Sequence, residues 1–458
     1  MIDGRKEYKM VPACFLVFET NRKELLMEKK VNKKTEVISR RSFMKASAAV
    51  SLAALGSSAS RIFAAGSDKI RVGVIGCGLR GTVDARDCIK ADCGAEIVAM
   101  GDLFKDKLDE SLENLKSNKG RYEGIGGGIK VTEETCFAGW DAYKKVLATD
   151  VDMVILATPP HFRPEHFKAA VEAGKHVFMQ KPVAVDPVGV RSVLATSELA
   201  AQKDLSVVAG TQRRHQGHYL EIMKRIHDGA IGRTVGGECF WNGGGSEAKS
   251  RKPEWSEMEY QIRNWQFFNW LSGDHIVEQH VHNIDVINWA LKSHPVKVVG
   301  IGGRQVRSSG NIYDHFAVDF EYPNGERVLS MCRQIPGCSE RVSERLIGTK
   351  GTSYTDLANG SIEGENAFEY DGPSPDPYVQ EQIDMITSIR QDKPINEGRA
   401  VAESTLTAIM GRMSAYTGKE LSWNWVMNAS ELDMRPAKYE LGDMPIEPVA
   451  MPGKTKLV

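Results

Sequence analysis

Residues 69–81, KIRVGVIGCGLRG, decide how the chain is read. An apolar β-type run at 70–75 meets Gly76-Cys77-Gly78-Leu79-Arg80-Gly81, and a helix-compatible segment at 82–90 follows. Strand, glycines and helix in that order build a dinucleotide cradle. Gly76 permits the tight turn, Gly78 lets backbone approach a pyrophosphate, and Gly81 lets the helix pack on the strand. The first N–H groups of the helix, around Leu79 and Arg80, then face the phosphates. A second strand at 96–101 ends in Asp102, about twenty residues past Gly81, where a carboxylate can accept the ribose hydroxyls of NAD. Asp102 also repels a 2'-phosphate, so NAD is the expected cofactor. Lys105 and Lys107 lie close enough to reverse that preference, which keeps NADP as the alternative.

Outward from this turn, short apolar runs alternate with helical segments to about residue 185, as in a parallel sheet wound with crossover helices. Residues 105–115 read as a charged amphipathic helix, and the glycines of 119–130, KGRYEGIGGGIK, mark a mobile loop. A buried strand at 151–157 stops at Thr158-Pro159-Pro160-His161. After a helix at 165–174, the strand at 176–179 delivers Gln180-Lys181-Pro182-Val183 at its C-terminal end. Open α/β sheets bind ligands at the carboxyl ends of strands, so Thr158, Pro159, His161, Gln180 and Lys181 fall at the cofactor edge, with Lys181 where a nicotinamide ring would end. A helix at 186–203 and a strand at 205–210 bring Gln212-Arg213-Arg214-His215 to the same edge.

Beyond that point the texture changes. A helix at 219–228 and a strand at 233–241 precede a glycine-, proline- and tryptophan-rich stretch, 242–271. β-rich runs follow at 296–304, 315–322, 327–333 and 341–348, with Asn324-Gly325 as a hairpin signal. Late helices at 379–390 and 400–416 precede a tail, 433–458, expected as an extended strap over the surface. The fold class is therefore α/β: an N-terminal Rossmann dinucleotide-binding domain and a C-terminal α+β domain on a large, mostly antiparallel open sheet. Boundaries are expected at 67–188 and 189–425, with the tail at 426–458.

The formal net charge is −1 over 458 residues, which points away from a nucleic-acid or polyanion partner. Residues 1–66 read as an extension and an address. Ser39-Arg40-Arg41-Ser42-Phe43-Met44-Lys45 is a twin-arginine pattern, an apolar run at 46–55 is too short to span a bilayer, and cleavage is expected between Ala59 and Ala65. The lysine-rich segment opening at Met27 suits an n-region, so translation is expected to begin there. The mature protein is expected to be periplasmic or otherwise exported, with no membrane span. Eight scattered cysteines, seven of them beyond the cleavage stretch, form no disulfide framework, and no CxxC pair supports a thiolate zinc site.

The densest polar constellation is residues 273–285, GDHIVEQHVHNID. A histidine that takes an alcohol proton while hydride leaves for nicotinamide is the natural partner of a lysine at the sheet edge. Glu278 and His282 are spaced i, i+4, so on one helix the carboxylate could hold the imidazole. His275, Glu278, His280 and His282 are also metal-ligand types, but the three histidines do not share a helical face, so no metal site is expected.

The motifs at 76–81, 157–161 (ATPPH), 174–182 (GKHVFMQKP) and 278–285 resemble, in order and spacing, the glucose-fructose oxidoreductase, inositol dehydrogenase and rhizopine-catabolism (Gfo/Idh/MocA) family across roughly 69–425. The resemblance implies a second-domain sheet whose face closes on the nicotinamide, Lys181 as active-site lysine, His282 as acid/base histidine, and Glu278 where relatives often carry aspartate. It also implies a homodimer or homotetramer. Two positions depart from the family pattern. Gln180 replaces the glutamate of Glu-Lys-Pro, removing a carboxylate beside Lys181. Arg163 stands where relatives often have a second histidine. Arg163, Arg213, Arg214 and His215 are expected substrate contacts. Trp265 and its tryptophan neighbours could stack on sugar C–H groups.

Together these features predict an exported NAD-dependent oxidoreductase acting on a secondary hydroxyl of a sugar, glycoside or polyol. With no nicotinamide pool outside the cytoplasm, the cofactor should be held tightly and recycled in place. The alternatives are an NAD-dependent glycoside hydrolase working by transient oxidation and elimination, and a non-catalytic carbohydrate-binding protein.

Overall fold

The computed structural model describes residues 69–458. The twin-arginine pattern, Met27 and the expected cleavage stretch lie outside the described residues. Strand β1 (Ile70–Ile75) is buried along almost its whole length, as an apolar run without alternation must be when it is central to a parallel sheet. With β2 (Ala95–Asp102), β3 (Cys136–Ala138), β4 (Met153–Leu156), β5 (His176–Met179) and β6 (Val207–Ala209) it forms a six-stranded parallel sheet in the order β3-β2-β1-β4-β5-β6. Helices α1 (Leu79–Ala91), α2 (Lys105–Ser117), α3 (Ala142–Ala148), α4 (Arg163–Glu172) and α5 (Pro187–Gln202) connect the strands. The strand order reverses between β1 and β4, and the crevice beyond their carboxyl ends is where such sheets take ligands.

Two expectations change here. Strand β6 pairs with β5, which carries the first domain past the expected boundary at 188. The segment 119–130 is anchored at three points: Tyr122, Ile125 and Ile129 are buried among apolar neighbours, and Ile129 bridges Ile97 of β2. Its glycines drew attention away from three apolar residues that plug the sheet margin.

Helix α6 (Gly217–His227) leads into the second domain, where β7 (Thr234–Gly243) is followed by short helices α7 (Glu257–Arg263), α8 (Asn269–Ser272), α9 (His275–Glu278) and α10 (Val281–Leu291). Strands β8 (Lys297–Gly303), β9 (His315–Glu321), β10 (Arg327–Gln334), β11 (Arg341–Gly348), β12 (Gly351–Asp356), β13 (Gly360–Gly364) and β14 (Phe368–Glu369) follow. After α11 (Pro377–Arg390) and α12 (Gly398–Thr417) come β15 (Leu421–Ser422) and α13 (Trp423–Asn428). The sheet order is β14-β13-β12-β11-β7-β10-β9-β8-β15, antiparallel except where β7 and β10 run side by side. β8 and β9 alternate between buried and accessible residues, so only one face is covered. Helix α12 lies against that face. The Gly300 N–H donates to Ser414 Oγ at 2.8 Å, and a Cβ on Gly300 would come within 2.9 Å of the Gly411 carbonyl, so only glycine admits this approach. Asn324-Gly325 does turn the β9–β10 hairpin, with Gly325 at φ 88°.

From 433 onward the chain has no regular element and crosses both domains. Met434 N–H donates to Asp186 Oδ2, Tyr439 OH meets His161 Nε2, and the carbonyls of Glu447 and Ala450 accept from Asn311 and Tyr313.

Candidate active site

The glycine turn opens on a cavity of about 1030 Å³ that also takes in Asp102, Thr158, Lys181 and Glu278. Each glycine has a steric reason. Gly76 sits at φ 97°, and a Cβ there would lie 2.5 Å from the Thr158 nitrogen. A Cβ on Gly81 would lie 1.9 Å from the Gly76 carbonyl, while nothing stands within 4 Å of one on Gly78. Gly81 therefore packs the helix on the strand from behind the turn, and Gly78 presents bare backbone to the cavity. No side chain caps α1, whose first N–H groups are left as donors for a pyrophosphate. Leu79, 75 % exposed, and Arg80 line the same wall.

Asp102 is held rigidly at the end of β2. Its Oδ2 accepts the Cys77 N–H at 2.7 Å and its Oδ1 the Phe104 N–H at 2.8 Å, and each oxygen has capacity left for a ribose hydroxyl. Burial pushes this carboxyl up, against the pull of those two N–H groups. The donors of the turn and this acceptor fit the two ends of an adenosine diphosphate.

Lys181 and Glu278 meet across the domains. Lys181 Nζ donates to the Glu278 carbonyl and lies 3.3 Å from its Oε1, both side chains being 13 % exposed. This corrects the expected pairing within residues 278–282. The helix breaks between α9 and α10, so Glu278 turns to Lys181 and does not hold His282. His282 lies on the Trp241 ring, with centroids 5.9 Å apart and planes at 21°, and its buried Nδ1 has no partner among the described residues. Burial drives its pKa well below the ordinary value, and the positive charges of Lys181, Arg213 and Arg80 add to that. His282 is thus a neutral imidazole, and the same burial and neighbouring charges oppose its protonation.

The other histidines of this stretch diverge. His275 faces Phe316, and His280 Nε2 bonds Ser330 Oγ at 2.7 Å. Among the described residues no three His, Cys, Asp or Glu side chains gather as a metal site.

The basic residues expected to touch substrate serve internal contacts instead. Arg163 is fully buried and staples the ends of β4 and β5. It donates to the Thr158 carbonyl at 2.5 Å and the Gln180 carbonyl at 3.0 Å, and burial lowers its pKa to about 9. Arg213 pairs with buried Glu344 beneath Trp241, and Arg214 forms two bonds to Asp285 at 2.8 and 2.9 Å. His215 lies between Asp384 (2.6 Å) and Glu397 (3.3 Å), which raise its pKa to about 10 against burial. Of the expected substrate contacts, Arg163 and Trp265 line the cavity, whereas Arg213, Arg214, His215 and His282 do not.

Sequence reasoning missed the roof. The Tyr439 hydroxyl lies 2.8 Å from His161 Nε2, and its ring packs on Trp140 and Phe162 at 5.7 and 5.9 Å. Burial lowers the His161 pKa to about 4, so the imidazole is neutral and Tyr439 can donate to it. From the 242–271 stretch, Arg263 reaches across to Asp106 on α2 with two bonds, 2.9 and 3.1 Å, and covers the Phe104 ring at 3.9 Å. Trp140, Tyr439, Arg263 and Lys249 all face the cavity.

Residues 70–211 match the model of an oxidoreductase family with an NAD-binding Rossmann fold, and residues 219–354 match that of the GFO/IDH/MocA C-terminal domain. Inositol 2-dehydrogenase 4 of Saccharopolyspora erythraea is 34% identical over 171 residues, 37% of this chain and 45% of that protein. Inositol 2-dehydrogenase of Rhizobium meliloti is 24% identical over 288 residues, 62% of this chain and 74% of that protein. The chain thus spans less than half the length of the first relative and about three quarters of the second. In structure it is similar to the aldose-aldose oxidoreductase from Caulobacter crescentus complexed with glycerol, with a TM-score of 0.62 and 17% identity over 77% of this chain and 99% of that one. At that identity the likeness speaks for the fold.

Proposed function

Because the chain belongs to the Gfo/Idh/MocA oxidoreductase family, we propose that it is an NAD-dependent oxidoreductase acting on a secondary hydroxyl of a sugar, glycoside or polyol. The observation that carries this is Lys181, held by Glu278 in the cavity of the glycine cradle, with the neutral His282 near enough to feel its charge. Bound NAD supplies the hydride acceptor. Lys181 places a positive charge on the substrate oxygen as negative charge develops there. Neutral His282 takes the hydroxyl proton as the C–H hydride departs, so the alcohol becomes a ketone, and burial with the neighbouring positive charges drives the proton off the imidazole again. Glu278 keeps the ammonium aimed at the oxygen. Trp265 offers an apolar face to the ring of a sugar.

The proposal includes export by the twin-arginine route and a cofactor retained through successive turnovers. Support for retention comes from the roof, where Tyr439 and Arg263 reach over the cavity from the tail and the second domain. A retained cofactor would be re-oxidised by a second sugar, or would return hydride to the first after loss of an aglycone. The proposal also includes a homodimer or homotetramer formed through the uncovered sheet face, where Val299, Ile301, Leu329 and Ile347 stand exposed. Light scattering of the eluting protein measures that state.

The deciding experiment is to purify the protein, measure the nucleotide released on denaturation, and follow reduced-nicotinamide absorbance as polyols, aldoses and glycosides are added. Reduction by one class, with ketone or aglycone as product, supports the proposal. Absence of nucleotide, with no binding or turnover of added NAD, sinks it and favours a carbohydrate-binding protein.

A further inference from the structure

Gln180 stands where the resembled motif has glutamate, yet the structure does not leave that place without a carboxylate. The Gln180 Nε2 donates to both oxygens of Asp84, at 3.1 and 3.0 Å, and Asp84 is a wholly buried residue of α1. Asp84 also accepts from Arg80 Nε at 2.7 Å, and Arg80 belongs to the glycine turn and lies over the Tyr378 ring at 4.7 Å. The remaining polar groups of Gln180 are fixed as well. Its N–H donates to the Leu156 carbonyl on β4, its carbonyl accepts from Arg163, and its amide is lodged where a Cβ on Gly210 would sit 2.3 Å away. One carboxylate therefore joins the cofactor turn to the strand end from which Lys181 projects.

We propose that Asp84 is a positioning residue for Lys181: the carboxylate has moved from the strand end to helix α1 and acts through the Gln180 amide. This rests on the oxidoreductase reading above. The chemistry explains why the residue types come as a set. A glutamate at 180 would face the buried Asp84, and two carboxylates there cannot both ionise cheaply. An amide at 180 turns that repulsion into a hydrogen bond. The charged groups facing Asp84 are Arg80 and Asp87 on its own helix, Arg163 from α4 and Glu381 from α11. Glu381 is fully buried with neither oxygen partnered, and burial pushes its carboxyl well above the ordinary value, as it also pushes up that of Asp84 against Arg80.

The test is a charge swap. Asp84→Asn removes the charge, Gln180→Leu removes the amide while leaving the Asp84–Arg80 pair, and Asp84→Asn with Gln180→Glu returns a carboxylate to the strand end opposite an amide. Parent and variants are compared for kcat, KM and bound nucleotide, and for the 13C-dimethyl resonance of Lys181, assigned by its loss in Lys181→Arg. In Gln180→Leu and in Asp84→Asn, kcat should fall on the order of a hundredfold, as for a misplaced catalytic group. Bound nucleotide should stay near the parental level, and the Lys181 resonance should move. The double variant should recover most of both. If the single variants match the parent in kcat and resonance, or the double variant is no better than the worse single one, the proposal is overturned. If Asp84→Asn does not fold, the comparison of Gln180→Leu with the double variant decides. A parent inactive on every sugar and polyol would instead refute the oxidoreductase reading, while the lysine resonance still reports on Asp84.

Discussion

Removing Tyr439 should let the cofactor escape. The Tyr439→Phe change deletes one neutral hydrogen bond to the buried Nε2 of His161. A hydrogen bond of that kind contributes about 1 kcal/mol. Tyr439→Ala also removes the ring contacts with Trp140 and Phe162, each about 0.5–1.5 kcal/mol. At 1.4 kcal/mol per tenfold, nucleotide release should quicken about fivefold in Tyr439→Phe and roughly thirty- to seven-hundredfold in Tyr439→Ala. The assay mixes NADH-loaded protein with excess NAD and follows loss of bound-nucleotide fluorescence, with melting temperature as a control on folding. If Tyr439→Ala melts like the parent and releases nucleotide at the parental rate, the tail does not hold the cofactor and the retention argument falls.

Replacing Lys181 with Met, which keeps the apolar stem but not the charge, should lower kcat roughly a hundred- to a thousandfold with nucleotide still bound, as measured by steady-state reduction of the cofactor. Arg163→Met should leave the Thr158 and Gln180 carbonyls unpaired and cost roughly 2–4 kcal/mol in urea denaturation, with a fall in kcat because Lys181 is no longer anchored. His215 makes a prediction about pH. Its folded pKa of about 10 is above the ordinary 6.5, so its stabilising contribution is complete below pH 6.5 and is lost as pH rises towards 10. Its neighbours Asp384, Glu397 and Glu381 are acidic, and His215→Gln should therefore flatten the alkaline fall in melting temperature. The neutral histidines act oppositely. His161 and His280 have pKa values lowered to about 4 and about 3, so the unfolded chain binds their protons first and stability should fall as pH drops below 6.5.

The fold was legible where pattern and physics coincide. β1 has no polar alternation because both its faces are covered, and β8 and β9 alternate because one is bare. Strands β12, β13 and β14 carry little apolar signal, as in Thr352, Ser353 and Thr355, and each depends on the strand before it for pairing. At the site, Lys181 and Glu278 were legible from strand-end position and residue type. Arg213, Arg214 and His215 misled because a charge in a sequence does not show its partner, and theirs are Glu344, Asp285 and Asp384. The i, i+4 reading of Glu278 and His282 failed because it assumed an unbroken helix. Tyr439 gave no local signal, since its partner lies 278 residues earlier.

The roof also fixes an order of assembly. Tyr439 leaves the ribosome long after the glycine turn and Asp102. The N-terminal sheet can form and admit nucleotide while the tail is still unmade, because domains fold in the order they are synthesised. Closure by Tyr439 then comes later than the cradle it covers, and a nucleotide already in place is shut in by a segment made after its site.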